Sequence, residues 1–337
     1  VYLYALIFSV AFIVACQPEI GPTPTATRLS NASPTSQPTL RPEPLATPSV
    51  AKISTLAWSS GPPLQISRGE VAAAATEDRI FVIGGFGGSK VVEEFQRGQN
   101  TWVRRADLPV GLNHPAAVGL NGKVYVVGGY QDDGAPTNAL YELDPVRNQW
   151  RALKPMPTAR GALGAVAFGG RIYAVGGTLR GDVGNLEMYD PSRDAWQSLA
   201  PMPTPRDHIA VAVLRDRIYV IGGRVGSFAR NLSTNEEYDP QTNTWRTRAP
   251  MPTARSGIAA GVLNEMIFVF GGEEPSKTFN ENEAYDSVTD SWKSFTRMPT
   301  ARHGIGAVSF DGRIYVLAGG RTPGGSESTL VDIFTLP

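Results

Sequence analysis

The chain has 337 residues, and its 31 Lys+Arg balance its 31 Asp+Glu to a formal net charge of zero. This argues against a general nucleic-acid or membrane-surface binder, which usually carries a basic excess. The single cysteine, Cys16, excludes an internal disulfide and any zinc site built on several thiolates, while 36 glycines and 27 prolines among plentiful aromatic and β-branched residues suit many short strands joined by turns.

The first element is an uncharged apolar run from Val1 to Ala15, closed by Cys16. It has the length of a signal-peptide core and is short for a membrane span. It ends in Ile13-Val14-Ala15-Cys16, which resembles the lipobox of bacterial lipoproteins. The resemblance implies that residues 1–16 are a lipoprotein signal peptide, cleaved before Cys16, with lipid attached to that residue; a short uncleaved anchor is the alternative. Residues 17–52 contain eight prolines with abundant Thr and Ser. Apolar residues are too few there to offset the entropy of ordering, so the stretch reads as a partly polyproline II tether. At about 3.1 Å per residue it reaches on the order of 110 Å.

From residue 53 the chain repeats. Its six tryptophans, Trp58, Trp102, Trp150, Trp196, Trp245 and Trp292, recur every 44 to 49 residues. Ten residues after each comes Arg68, Leu112, Arg160, Arg206, Arg255 or Arg302, and sixteen after that a Gly-Gly pair begins, the last copy placing Ala318 in that slot and its pair one later. Within a copy, GALGAVAF reads as strand a, a tight Gly-Gly, Asn-Gly or Asp-Gly turn follows, and RIYAV reads as strand b, whose unbroken apolar run predicts burial on both faces. NLEMYDP supplies strand c and AWQSL strand d.

The double glycine, the Tyr and the Trp about six residues after it resemble the kelch repeat. The resemblance covers residues 53–337 and implies an all-β, six-bladed propeller with four antiparallel strands per blade. One blade cannot bury both faces of its sheet, whereas a closed ring can. The last copy stops at strand c, before any Trp, and Trp58 precedes the first strand a. Residues 55–60 are therefore expected to supply strand d of the sixth blade.

Alternating strand direction places the d–a and b–c loops on one face. The b–c loops vary in length and content, and variable loops on a rigid scaffold usually carry binding. A site on a repeated scaffold should show as departures from the repeat. Candidate ligand-binding residues on this face are His114, Tyr130, Asp132, Asp133, Arg180, His208, Arg224, Phe228, Arg230, Glu273 and Arg321. The ring of five arginines suits an anionic ligand. However, Arg68, Arg160, Arg206, Arg255 and Arg302 each share a blade with an acid at the start of strand c, namely Glu93, Glu187, Glu236, Glu283 and Asp332, and the second blade lacks both partners, with Leu112 and Tyr141. That paired loss favours structural ion pairs within blades.

His114 and His208 share a repeat position and His303 stands one earlier. They come from blades 2, 4 and 6, so they converge only if the axis is narrow; they are read as polar loop residues, and no metal or other cofactor is expected. A copper–radical oxidase site needs a propeller cysteine, and no Walker loop, Gly-x-Ser-x-Gly or His-Glu-x-x-His string is present. The expectation is a lipid-anchored module outside the cytoplasm, in a bacterial envelope. It would meet the membrane only through its lipid, bind no nucleic acid, and capture a protein or glycan without catalysis. The alternative is a sugar-active enzyme resembling the sialic-acid mutarotases, which are also six-copy kelch proteins.

Overall fold

The computed structural model describes residues 57–336. The leader with Cys16 and the tether over 17–52 lie outside the described residues. Six four-stranded antiparallel sheets follow one another, with no helix among the described residues. Blade 3 shows the pattern: strands a (Gly164–Phe168), b (Arg171–Val175), c (Leu186–Asp190) and d (Ala195–Leu199) pair in sequence order. In blade 6, Gly306–Phe310, Arg313–Leu317 and Val331–Phe334 come from the C-terminal end, and Trp58–Ser60 adds the outer strand, with Trp58 opposite Phe334. The N-terminal strand thus closes the ring through Trp58–Ser60; residues 55 and 56 of the expected 55–60 lie outside the described residues.

Burial follows strand position. Strand b is buried through its last four residues in every blade, as in Ile80–Ile83 or Ile218–Ile221. Each such side chain contributes roughly 1.5–3 kcal/mol by leaving water. The apolar cores lie between blades: Phe81 and Ile83 of blade 1 pack with Val124, Val126 and Leu143 of blade 2. Strand a lies nearest the axis and presents small residues there, including Ala73, Ala117, Ala165, Ala260 and Ala307, because six strands must meet in little space.

The tryptophans stitch blade to blade. Each indole Nε1 donates to a backbone carbonyl of a d–a linker: Trp102 to Pro62, Trp150 to Ala106, Trp196 to Lys154, Trp245 to Ala200, Trp292 to Ala249 and Trp58 to Thr296, all at 2.8–2.9 Å. Asn148, Asp194, Asn243 and Asp290, in the c–d turns, adopt positive φ and accept linker amides of the preceding blade. Asn and Asp tolerate that conformation better than other residues with a Cβ.

On the opposite face the d–a loops converge. Twelve residues after each Trp, Glu70, His114, Ala162, His208, Gly257 and Gly304 all take φ between 51° and 66°. Their backbones link in a ring: His114 N donates to Glu70 O, Ala162 N to His114 O, His208 N to Ala162 O, Gly257 N to His208 O and Gly304 N to Gly257 O, at 2.9–3.1 Å. Val71 N closes the circle onto Gly304 O at 3.4 Å. The axis is therefore narrow at this mouth.

Candidate ligand site at the axial mouth

The residue after each repeated Arg or Leu position bridges to the residue that follows the glycine pair, Gly69 to Phe86, Asn113 to Tyr130, Gly161 to Thr178, Asp207 to Arg224 and Ser256 to Glu273, and in blade 6, where the pair is shifted by one, His303 bridges to its second glycine, Gly320. Each d–a loop is thus tied to its own b–c loop, and side chains from both collect around one opening. Below it lies an axial cavity of about 150 Å³, with Glu70, His114 and His208 at its rim and strand-a residues along its wall.

His114 and His208 meet edge to face with ring centroids 4.9 Å apart, and Phe86 and Tyr130 approach His114 at 5.3 and 5.6 Å. Tyr130 leans on Gly161, where a Cβ would collide with its ring. Arg224 is the hub of the polar network: its Nε donates to Asp207 Oδ1 at 3.1 Å, Nη1 to Glu273 Oε1 at 3.0 Å and Nη2 to His208 Nε2 at 2.8 Å. Phe228, on the hairpin strand Ser227–Asn231, lies 5.6 Å from the Arg224 guanidinium.

Glu70 sits in the centre, buried, with Oε2 3.3 Å from His114 Nε2 and Oε1 3.2 Å from His303 Nδ1. Gly304 supplies the room, since a Cβ there would strike this carboxylate. Burial opposes the Glu70 charge, but His114, His303 and His208 outweigh it and hold the carboxyl well below the usual range. Burial pushes the His114 imidazole down to about 4, with Glu70 opposing and His208 and Arg224 reinforcing the shift. For Asp207 burial acts upward, and the hydrogen bond and charge of His208 together with Arg224 bring it down to about 2. Burial likewise works against the His303 charge, and Glu70 and Glu273 override it to raise that imidazole.

The structure thus brings together His114, Tyr130, His208, Arg224, Phe228 and Glu273 among the candidates. It does not bring the others. Asp132 lies with Phe86, Ser89 and Asn113 in a separate groove between blades 1 and 2. Asp133 caps its own loop by accepting from Ala135 N, Arg180 and Arg321 are exposed in their loops, and Arg230 is exposed on the hairpin strand Ser227–Asn231. Glu70 is not among the candidates, Asp207 is outside the ligand-binding set and enters only as one of several acids open to the sugar-active alternative, and His303 is read only as a polar loop residue. The condition for histidines from blades 2, 4 and 6 to converge, a narrow axis, is met because the backbone ring draws their loops together.

The arginine ring does not line this mouth. Each guanidinium is fully buried and runs into its own blade. Arg68 Nη2 lies 2.5 Å from Glu93, Arg206 Nη1 2.5 Å from Glu236 and Arg302 Nη1 2.6 Å from Asp332, and Arg160 and Arg255 contact Glu187 and Glu283. The same guanidiniums donate to strand-b carbonyls, such as Arg206 Nη2 to Val220 O at 2.8 Å. Burial lowers Arg68 to about 10 against the opposing pull of Glu93.

Comparison with known proteins follows the same lines. A family model described as the KLHDC2/KLHL20/DRC7 Kelch-repeats domain matches residues 94–248 and 208–336. A stretch of 88 residues is 36% identical to the N-acetylneuraminate epimerase of Pasteurella multocida, covering 24% of this chain and 23% of that protein. Kelch-like protein terF of Aspergillus terreus is 31% identical over 121 residues, 32% of this chain and 26% of its own length, and mouse Kelch-like protein 35 is 34% identical over 79 residues, 23% and 14%. The matched stretches span no more than 26% of the length of these relatives. The solved structure of YjhT superimposes with a TM-score of 0.73 at 17% identity, over 82% of this chain and 97% of that one, a likeness of fold. With its family match extending over most of the described residues, and its six four-stranded blades closed by an N-terminal strand, the chain belongs to the kelch-repeat family of β-propellers.

Proposed function

We propose that the protein is a non-catalytic capture module that binds a carbohydrate at the axial mouth of its d–a/b–c loop face. The observation that carries this reading is the gathering of repeat-breaking residues, His114, Tyr130, His208, Arg224 and Glu273, around one opening. Imidazoles, a phenol, a guanidinium and carboxylates supply donors and acceptors for hydroxyls, and the faces of Phe86 and Tyr130 suit the apolar side of a sugar ring. The cavity is smaller than the about 300–1,000 Å³ that encloses a drug-sized ligand, so a sugar would engage the mouth and send only a small substituent inward. The leader ending in Cys16 and the tether over 17–52 support a lipid-anchored position outside the cytoplasm, with the propeller held off the membrane.

A second reading, a sugar mutarotase, is favoured by one feature: His114 is a neutral imidazole at pH 7 beside the Glu70 carboxylate, a pair fit to move a proton at an anomeric hydroxyl. One relative is named an N-acetylneuraminate epimerase. The test is a glycan array including sialic acids, run with a metal chelator present, followed by NMR of anomer exchange. Capture predicts saturable binding without faster exchange, weakened about tenfold or more by Tyr130→Ala, in keeping with an aromatic anchor. Accelerated exchange replaces capture with the mutarotase reading, and no bound sugar overturns both.

A further inference from the structure

We propose that Glu70, Glu273 and His303 form a binding site for one divalent transition-metal ion of the zinc class. The inference does not depend on the sugar reading. All three side chains are buried, His303 being 1% exposed, and each offers a ligand atom to one small volume. His303 Nδ1 stands 3.2 Å from Glu70 Oε1 and 3.4 Å from Glu273 Oε2, yet it is aligned with neither for a hydrogen bond and has no other partner. An unpartnered nitrogen at that depth is costly. Ligand atoms around a tetrahedral ion at about 2.1 Å sit roughly 3.4 Å apart, close to the 3.2 and 3.4 Å that separate His303 Nδ1 from the two carboxylate oxygens.

The surrounding contacts aim that nitrogen. His303 Nε2 lies 3.0 Å from Thr322 O. A proton held on Nε2 by that carbonyl leaves the Nδ1 lone pair facing the two carboxylates, the arrangement in which an outer oxygen fixes the tautomer of a ligating histidine. Glu273 is also held from outside, by Arg224 Nη1 on Oε1 and by Gly324 N on Oε2 at 2.9 Å.

Charge leads to the same occupant. Arg224 pairs with Asp207 and Glu273, while the buried Glu70 carboxylate faces only the imidazoles of His114 and His303, so three carboxylates share one permanent cation and a divalent ion would neutralise the excess. Mixed imidazole and carboxylate ligation suits zinc and its neighbours better than calcium or magnesium, which prefer oxygen alone. A second triad, Glu70 with His114 and His208, shares Glu70. There the free nitrogen of His208 already accepts from Arg224, which favours the His303 triad as the ion's seat.

The experiment uses the whole untagged chain, stripped with a chelator and then titrated with Zn²⁺ by calorimetry and by ¹⁵N NMR of the imidazoles. The expected result is one saturable equivalent, with the His303 Nδ1 resonance moving in step with occupancy. Glu70→Gln and Glu273→Gln should each weaken binding at least about tenfold, since even outer-shell partners of a metal cost that much, and Asp133→Asn, on an exposed loop, should leave it unchanged. No saturable uptake, uptake that leaves the His303 resonances in place, or an affinity in either glutamate variant equal to that of the unaltered chain would overturn the site. Should either variant fail to fold, the His303 response of the unaltered chain decides alone.

Discussion

At the scale of single residues, the most buried charges belong to the scaffold rather than to the mouth. Arg206 makes an ion pair with Glu236 and donates to the carbonyls of Thr204, Val220 and Gly222, and Thr204 Oγ1 holds the other Glu236 oxygen at 2.7 Å. Such a group is costly to disrupt from one side, because the surviving charge stays buried without its partner. The pair as a whole, by contrast, is replaceable. Blade 2 already uses the replacement, with a fully buried Leu112 in the arginine slot. Glu236→Gln should therefore lower stability by about 3–5 kcal/mol. Adding Arg206→Leu to Glu236→Tyr, which copies blade 2, should recover most of that loss. Denaturant melts of the variants read both effects, and a double variant as weak as the single one would show that the pair does more than satisfy itself.

At the scale of elements, the b–c segments separate what was legible from what was not. The four strands of each blade could be read from period, glycine pairs and turn residues, because burial imposes a pattern on strands a and b. Two b–c loops hold further hairpins that the sequence did not reveal. Arg224–Val225 pairs with Ser227–Asn231 across a register shift, and Glu273–Glu274 pairs with Lys277–Thr278. These strands are short and polar, and no buried face stamps a period on them. Glu70 escaped for a related reason: its repeat mates are His114, Ala162, His208, Gly257 and Gly304, alike only in their positive φ and not in chemistry. The arginine–acid pairing, by contrast, was visible because one blade lacks both partners.

The blade 4 hairpin also carries a pH response. Asp182, from the b–c loop of blade 3, accepts Gly226 N at the hairpin turn at 2.8 Å. Burial, then the hydrogen bond and charge of Asp207, push its carboxyl up to about 6. A carboxyl raised on folding favours the folded state while protonated. Its contribution is full below the ordinary carboxylate range, near pH 4, and is lost as pH rises through 6. Carboxyl NMR should show Asp182 titrating near 6, with the Gly226 amide following the same midpoint. Asp207→Asn should return Asp182 toward the ordinary range, and an Asp182 that titrates near 4 in the unaltered chain would disprove the coupling.

At the scale of the whole molecule, closure rests on three residues. Blades 1 to 5 are each continuous in sequence, so their strands pair at low loop-closure cost. Blade 6 joins the two ends of the described chain, through Trp58–Ser60 against Val331–Phe334. Trp58 is its anchor: the indole donates to Thr296 O, and the ring packs 5.6 Å from Phe270 and 5.0 Å from Phe334. Removing a buried tryptophan costs about 3–5 kcal/mol by lost transfer energy and the cavity left behind. Here the loss also opens the seam between blades 5 and 6, where Trp58, Ile314, Val316 and Phe334 share a core with Phe268, Phe270 and Ala284. Trp58→Ala should therefore raise hydrogen exchange first in residues 58–60 and 331–334, then across the blade 5–blade 6 seam, while blades 2 and 3 keep their protection. Trp196→Ala, which alters a tryptophan inside a continuous blade, should loosen only blade 3 and its junction with blade 2. An even loss of protection around the ring in the Trp58 variant would mean that the propeller unfolds as one unit, and the N-terminal strand would then be one contributor among many rather than the latch.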